Sequence, residues 1–221
     1  MNARVLVTGA SGFVGRALVD SLVGTGHSVR ATTRQLGEAA FPTGVETVTT
    51  GDYRQPVDWA PLLADVDSVV HLAGIAHINP RFAEAEYERV VHAATAELVA
   101  ACGKASVRRF VFMSSVRAQS GPAADGILTE NDMPRPAEPY GAAKLRAEAA
   151  VRAAGVPWTI LRPGMVYGAG AKGNFARLLE IADSPWPLPF AGLANQRSLV
   201  SLDNLIAAVL FVLGVEVAAP R

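Results

Sequence analysis

The stretch Arg4-Val5-Leu6-Val7-Thr8-Gly9-Ala10-Ser11-Gly12-Phe13-Val14-Gly15 decides the fold. Its first five residues form a short apolar run of strand character, and glycines then recur at every third position while a segment of helical period opens at Phe13. Glycines so placed permit a tight turn, close approach of backbone to a pyrophosphate, and close packing of helix on strand. The amides that open the helix then offer their N–H groups to phosphate. Strand, glycine turn and helix in this order predict a dinucleotide-binding unit, with Gly9, Ser11, Gly12, Phe13, Val14 and Gly15 lining the cofactor.

Working outward, further Val-, Ile- and Leu-rich runs at 28–33, 45–49, 68–72, 109–113 and 158–161 read as strands. Helical segments at 13–24, 57–64, 84–103 and 140–155 alternate with them, and Gly24, Gly103 and Gly155 stand where C-terminal caps belong. This alternation predicts an α/β fold, a three-layer, doubly wound parallel sheet of Rossmann type. After Arg162-Pro163 the pattern changes: 164–189 is dense in Gly and Pro and holds one short helix near 174–182, which reads as a substrate-facing insertion. A last apolar helix follows at 202–213. The expected organisation is a dinucleotide-binding domain over 1–163, with helix 202–214 packing back on it, and a partial substrate-binding region over 164–201.

The 221 residues can bury one substantial core. Lys and Arg together number 20, as do Asp and Glu, and no run of like charge draws in a phosphate backbone or an anionic lipid surface, so a nucleic-acid partner is not expected. Cys102 is the only cysteine and lies in an apolar run, which predicts an inert buried thiol and excludes an internal disulfide. The chain enters its first strand directly after Met1, and no apolar stretch reaches membrane-spanning length, so a cytoplasmic protein is expected. No metal site is expected either.

Chemistry enters with Tyr140-Gly141-Ala142-Ala143-Lys144, which sets a phenol and an ammonium four apart on one helix face. A nearby cation favours phenolate and brings the phenol toward a useful base. Ser114 and Ser115 end the fifth strand, at the carboxyl edge where open α/β sheets bind ligands. A hydroxyl there can polarise an oxygen that Tyr140 protonates.

With these motifs together the chain resembles the extended short-chain dehydrogenases/reductases of the NAD-dependent epimerase/dehydratase family. The likeness runs through the glycine turn, His71-Leu72-Ala73-Gly74, Ser114-Ser115, Tyr140 with Lys144, Arg162-Pro163 to Val166-Tyr167-Gly168, and Arg197 to Asn204. It implies a catalytic triad of Ser115, Tyr140 and Lys144, with Lys144 also on the nicotinamide ribose. It further implies Asp52 and Tyr53 beside the adenine, and Leu72, Ala73, Gly74 and Pro163 along the cofactor. For His71 we expect the backbone, not the ring, to matter. Paired helices 84–103 and 140–155 imply a homodimer.

Within the family, Gly173-Asn174-Phe175, Leu188-Pro189-Phe190 and Arg197-Ser198-Leu199-Val200 resemble the nucleotide-sugar branch. Ser114, Ser115, Asn174, Phe175, Leu188, Phe190 and Arg197 are then the expected substrate contacts, the Arg fork suiting a diphosphate and the Phe a base. Strand two ends Thr32-Thr33-Arg34 where an acid commonly holds the ribose, so Thr33 and Arg34 favour NADP(H), with NAD(H) as the alternative. The expected activity is a UDP-sugar 4-ketoreductase or 4-epimerase. A reductase of small non-nucleotide ketones and a dinucleotide sensor without turnover are the alternatives. Two departures stand out: Arg89-Val90-Val91-His92 and Met165-Val166 replace segments in which relatives often carry Asn. Relatives also continue for roughly a further half domain, so the substrate-binding region is expected to be shortened.

Overall fold

Each central strand is buried on both faces, which is the condition for parallel pairing beneath two helical layers. In the computed structural model β1 (Arg4–Thr8), β2 (Ser28–Thr33), β3 (Glu46–Thr49), β4 (Ser68–His71), β5 (Arg109–Met113) and β6 (Trp158–Leu161) form one sheet in the order β3-β2-β1-β4-β5-β6. Every pair is parallel. The structure describes residues 3–35, 37, 39–75, 82–124, 126–171, 175, 180–183, 185 and 196–214.

Side chains alternate across the sheet with the period of two that extended backbone imposes. Leu6, Val69, Phe110 and Phe112 enter one core, and Val5, Val7, Val70, Val111 and Met113 the other. The first core is closed by α3 (Ala94–Lys104) and α4 (Pro139–Ala153), through Leu98, Val99, Cys102, Ala147 and Val151. The second is closed by α1 (Phe13–Gly24) and α5 (Leu202–Gly214), through Leu18, Val19, Leu22, Leu205, Ile206 and Val209. The chain runs outward from β1 to β3 and then returns to the far side of β1 as β4. The strand order therefore reverses between β1 and β4, and open sheets of this type bind ligands in the crevice beyond the carboxyl ends at such a switch point.

Three expectations need correction. The helix expected at 57–64 is a single 3₁₀ turn, Pro61–Leu63, because Pro56 and Pro61 lack amide donors and the chain leaves the turn through Asp65 at positive φ, 57°. The helix expected at 84–103 begins as α2 (Glu84–Tyr87), widens into π-helical turns over Glu88–Ala93 and only then continues as α3. Of the three glycine caps only Gly155 has positive φ, 67°; Gly24 and Gly103 lie inside their helices, and Gly26, at 83°, turns the chain after α1.

Two short strands went unanticipated. β7 (Met165–Tyr167) and β8 (Leu199–Ser201) pair in parallel and join the two ends of the segment expected to face substrate. The helix expected near 174–182 lies largely outside the described residues. Among the described residues no helix is long and apolar enough to cross a membrane. Because Phe110 is wholly enclosed in the first core, Phe110→Ala should cost about 3–5 kcal/mol of unfolding free energy, read from the urea midpoint at unchanged slope.

Candidate active site

The glycine turn after β1 is tight for steric reasons visible at each glycine. Gly9 has φ of 68°, and a Cβ there would stand 2.8 Å from the Ala73 amide nitrogen. A Cβ on Gly15 would fall 2.3 Å from the Gly9 carbonyl oxygen, so α1 can sit this low only with glycine at that position. At Gly12 a Cβ would meet nothing within 4 Å except the Gly9 oxygen, and no side chain caps α1 there. The first amides of α1 thus open outward over bare backbone, which fits a pyrophosphate. Ser11, Phe13 and Val14 are half-buried around this turn.

On the side expected to take adenine, Thr33 is buried and its hydroxyl donates to the Gln35 carbonyl at 3.0 Å. Arg34 is exposed, yet it is no isolated cation: its charge helps to hold the Asp52 carboxyl below the usual range, after the backbone and side chain of Arg54. A 2′-phosphate drawn toward Arg34 would also meet the Asp52 carboxylate. Tyr53 departs from expectation, since its ring is buried among Trp59 and His71 in the first core and burial pushes its phenol up. Its side chain packs the core instead of lining the crevice.

His71 also reverses expectation, because its ring is engaged. The Thr95 hydroxyl donates to the Val91 carbonyl at 2.5 Å, so it accepts from His71 Nε2 at 3.0 Å. That assignment leaves Nδ1 as acceptor for the Thr8 hydroxyl at 2.7 Å, and Thr8 in turn accepts the Ala73 amide at 3.3 Å. A single line of hydrogen bonds therefore runs from the π-helical turns to the loop Leu72-Ala73-Gly74. Burial, with a smaller push from the Lys144 charge, brings the imidazole pKa down to about 3, so the ring is neutral.

α4 starts cleanly, with Glu138 extended as its N-cap and Pro139 in its first turn. Its buried stripe carries Tyr140, Ala143, Lys144, Ala147, Glu148 and Val151, so three ionisable groups spaced by four occupy a face that is ordinarily apolar. The Tyr140 phenol is raised by burial and drawn partly back by the neighbouring Ser115 hydroxyl and by the charge of Arg117. This juxtaposition depends on Gly141: a Cβ there would lie 2.2 Å from the Arg117 carbonyl oxygen. The role of Gly141 was missed, although its place directly after Tyr140 was a usable signal.

Lys144 does not do what its spacing suggested. Its ammonium donates to the Met113 carbonyl at 2.7 Å, lies 4.6 Å from the Phe112 ring centroid, and would be 3.9 Å from a Cβ on Gly74. Burial lowers it to about 8 against the opposing pull of Glu148, and Tyr140 owes its shift to other neighbours. Ser114 differs as well, since its hydroxyl is buried and donates to Glu148 at 2.5 Å, turned away from the crevice. Ser115 faces Tyr140, and Pro163 holds the adjacent turn by accepting the Val116 amide at 3.0 Å.

Residues 5–220 match the NAD dependent epimerase/dehydratase family. The chain belongs to that family. It is 33% identical over 217 residues to the UDP-glucose 4-epimerase of Vibrio cholerae, covering 93% of this chain and 65% of that protein. It is 30% identical to the N-acetyl-alpha-D-glucosaminyl-diphospho-ditrans,octacis-undecaprenol 4-epimerase of Escherichia coli O157:H7, covering 93% of this chain and 62% of the relative. It therefore spans less than two thirds of either relative. Among solved structures, MoeE5 in complex with UDP-glucose and NAD superposes with a TM-score of 0.82 at 31% identity, covering 99% of this chain and 74% of that one.

Phe175 packs against Tyr167 with ring centroids 5.4 Å apart, and Arg197 is exposed just before β8. Asn174, Leu188 and Phe190 lie outside the described residues. Among the described residues no cluster of three or more His, Cys, Asp or Glu could hold a metal ion. Cys102 is buried, with its thiol pushed up to about 12.

Two measurements check this geometry. Gly141→Ala forces a methyl group into the Arg117 carbonyl and should destabilise the fold by about 1–3 kcal/mol in urea unfolding. The buried imidazole gives a pH test: its folded pKa, about 3, lies below the ordinary histidine value of 6.5, so the unfolded state takes up the proton first. His71 thus withdraws stability as pH falls from about 6 toward about 4, at up to about 1.4 kcal/mol per pH unit. His71→Asn should flatten the stability-against-pH slope by that amount; an unchanged slope would mean that the ring is charged or exposed.

Proposed function

We propose that the chain forms the cofactor-binding and reacting part of a nucleotide-sugar 4-epimerase, with a nicotinamide dinucleotide in the crevice between β1 and β4. The observation that carries this reading is the Ser115–Tyr140 pair beyond β5, beside the bare turn Gly9 to Gly15. The relatives named for 4-epimerase activity, and the solved neighbour holding UDP-glucose and NAD, support it. NAD(H) is favoured over NADP(H), because the Asp52 carboxylate offsets Arg34 and that neighbour holds NAD. Residues 164–201 would take the UDP-sugar, with Arg197 toward the diphosphate, and α3 and α4 would pair two copies.

A bound nicotinamide supplies a hydride acceptor and donor and, when oxidised, a positive charge. Gly9, Gly12 and Gly15 would hold its pyrophosphate on backbone amides, and Leu72 to Gly74 would flank it. Lys144, whose ammonium lies near Gly74, would hold the ribose hydroxyls. To oxidise a C4 hydroxyl, Tyr140 must first lose the proton that burial favours and accept the hydroxyl proton as base; it then returns that proton to the C4 ketone oxygen, while Ser115 donates a hydrogen bond to the same oxygen.

A phenol that keeps its proton at rest suits one-way ketone reduction directly, which keeps a UDP-sugar 4-ketoreductase as the second reading. The purified protein, mixed with UDP-glucose and NAD, should form UDP-galactose by NMR. No product there, but loss of the nicotinamide band with a UDP-4-keto sugar and NADPH, would assign the reductase instead. Calorimetry with UDP alone separates both from a reductase of small ketones, which would show no binding heat. Tyr140→Phe should lower turnover by about 10²–10⁴-fold while cofactor affinity stays near the wild-type value, and full activity in this variant would remove Tyr140 from the chemistry.

A further inference from the structure

The stripe of α4 that carries Tyr140 and Lys144 ends in Glu148, a carboxylate with no solvent exposure. Its Oε1 accepts from the Ser114 hydroxyl at 2.5 Å and from Arg162 Nε at 2.8 Å. Its Oε2 accepts from Arg162 Nη2 at 2.5 Å and from Arg152 Nη2 at 3.1 Å. With two donors on each oxygen the carboxylate is saturated and has no role toward substrate. What it can do is hold backbone. Ser114 is the neighbour of Ser115, and Arg162 is the neighbour of Pro163, whose carbonyl takes the Val116 amide at 3.0 Å. Arg162 also bonds the Gln119 side-chain oxygen, and the Gln119 amide donates to the Thr129 and Asp132 carbonyls at 3.2 and 2.6 Å.

We propose that Glu148 is the positioning residue of this site: it clamps the ends of β5 and β6 onto α4, and so sets the Ser115 hydroxyl against the Tyr140 phenol. The inference rests on the reading of Ser115, Tyr140 and Lys144 as the reacting set. It assigns Glu148 a second task through charge. Lys144 is faced by neutral His71 from β4, by the Met113 carbonyl and Phe112 ring of β5, and by Tyr140 and Glu148 on its own helix; Tyr87 of α2 packs on Tyr140. The anion acting on Lys144 against burial is Glu148, itself held ionised by Arg162, Ser114 and Arg152 despite its own burial. Losing that charge lets burial take the proton off Lys144 at a lower pH.

The sequence has only three lysines, Lys104, Lys144 and Lys172, so carbon-13 lysine NMR can follow the Lys144 ammonium without turnover. In the full chain Lys144 should titrate near 8, and in Glu148→Gln its midpoint should fall by about one pH unit. An unchanged midpoint overturns the charge role. Ser114→Ala leaves the carboxylate in place and should keep that midpoint, yet lower kcat about tenfold with KM unchanged, because Ser115 loses its anchor. A wild-type kcat in Ser114→Ala overturns the clamp, and this variant decides the matter if Glu148→Gln does not fold. A wild-type protein without turnover of any nucleotide sugar sinks the function proposed above, whereas the lysine titration still reads Glu148.

Discussion

At Gly141 the first turn of α4 rests on the Arg117 carbonyl with room for a hydrogen atom and none for a methyl group. That contact sets how low α4 lies over the chain leaving β5, and the site depends on it. With the helix lifted by one methyl radius, Tyr140 loses Ser115, Lys144 loses the Met113 carbonyl, and Glu148 loses Ser114 together. The glycine turn after β1 repeats the device, since Gly15 lets α1 settle on the Gly9 carbonyl. Both helices that frame the crevice are thus seated through a missing side chain.

Close seating has an electrostatic consequence. Burying an ionisable group disfavours its charged form, so the same packing raises Tyr140, lowers Lys144 and keeps His71 neutral. These shifts leave a phenol with its proton and a lysine close to its midpoint at neutral pH. A polar stripe of this kind is costly unless its members find partners: Lys144 bonds the Met113 carbonyl, Glu148 bonds Ser114, Arg162 and Arg152, and the Tyr140 phenol lies beside the Ser115 hydroxyl.

The sheet was legible because buried parallel strands are continuous apolar runs. β1, β2, β5 and β6 match their expected bounds residue for residue. Helix 57–64 was misread because its apolar spacing carried no weight against two prolines. β7 and β8 escaped notice because three residues make too short a period and the partner lies far away in sequence. At the candidate site, the nearness of Ser115 to Tyr140 could be expected from motif and position. The orientations of Ser114, Tyr53 and Lys144 could not, since side-chain direction is decided by partners brought in from other elements. Glu148 was legible in principle, one further step of four beyond Lys144, but a Glu on a helix ordinarily reads as solvated surface.

The two buried hydrogen-bond lines share a logic that apolar packing cannot supply. A polar ligand at the carboxyl ends of β4, β5 and β6, as proposed, would require that these loops not be covered by core side chains. The line through Thr95, His71 and Thr8 reaches up from beneath to hold the Ala73 amide. The line from Glu148 through Ser114 and Arg162 does the same for the ends of β5 and β6. Directional bonds made from below leave the upper surface bare, so the crevice keeps its shape by anchorage to the core, and its rigidity is tied to the protonation states of His71 and Glu148.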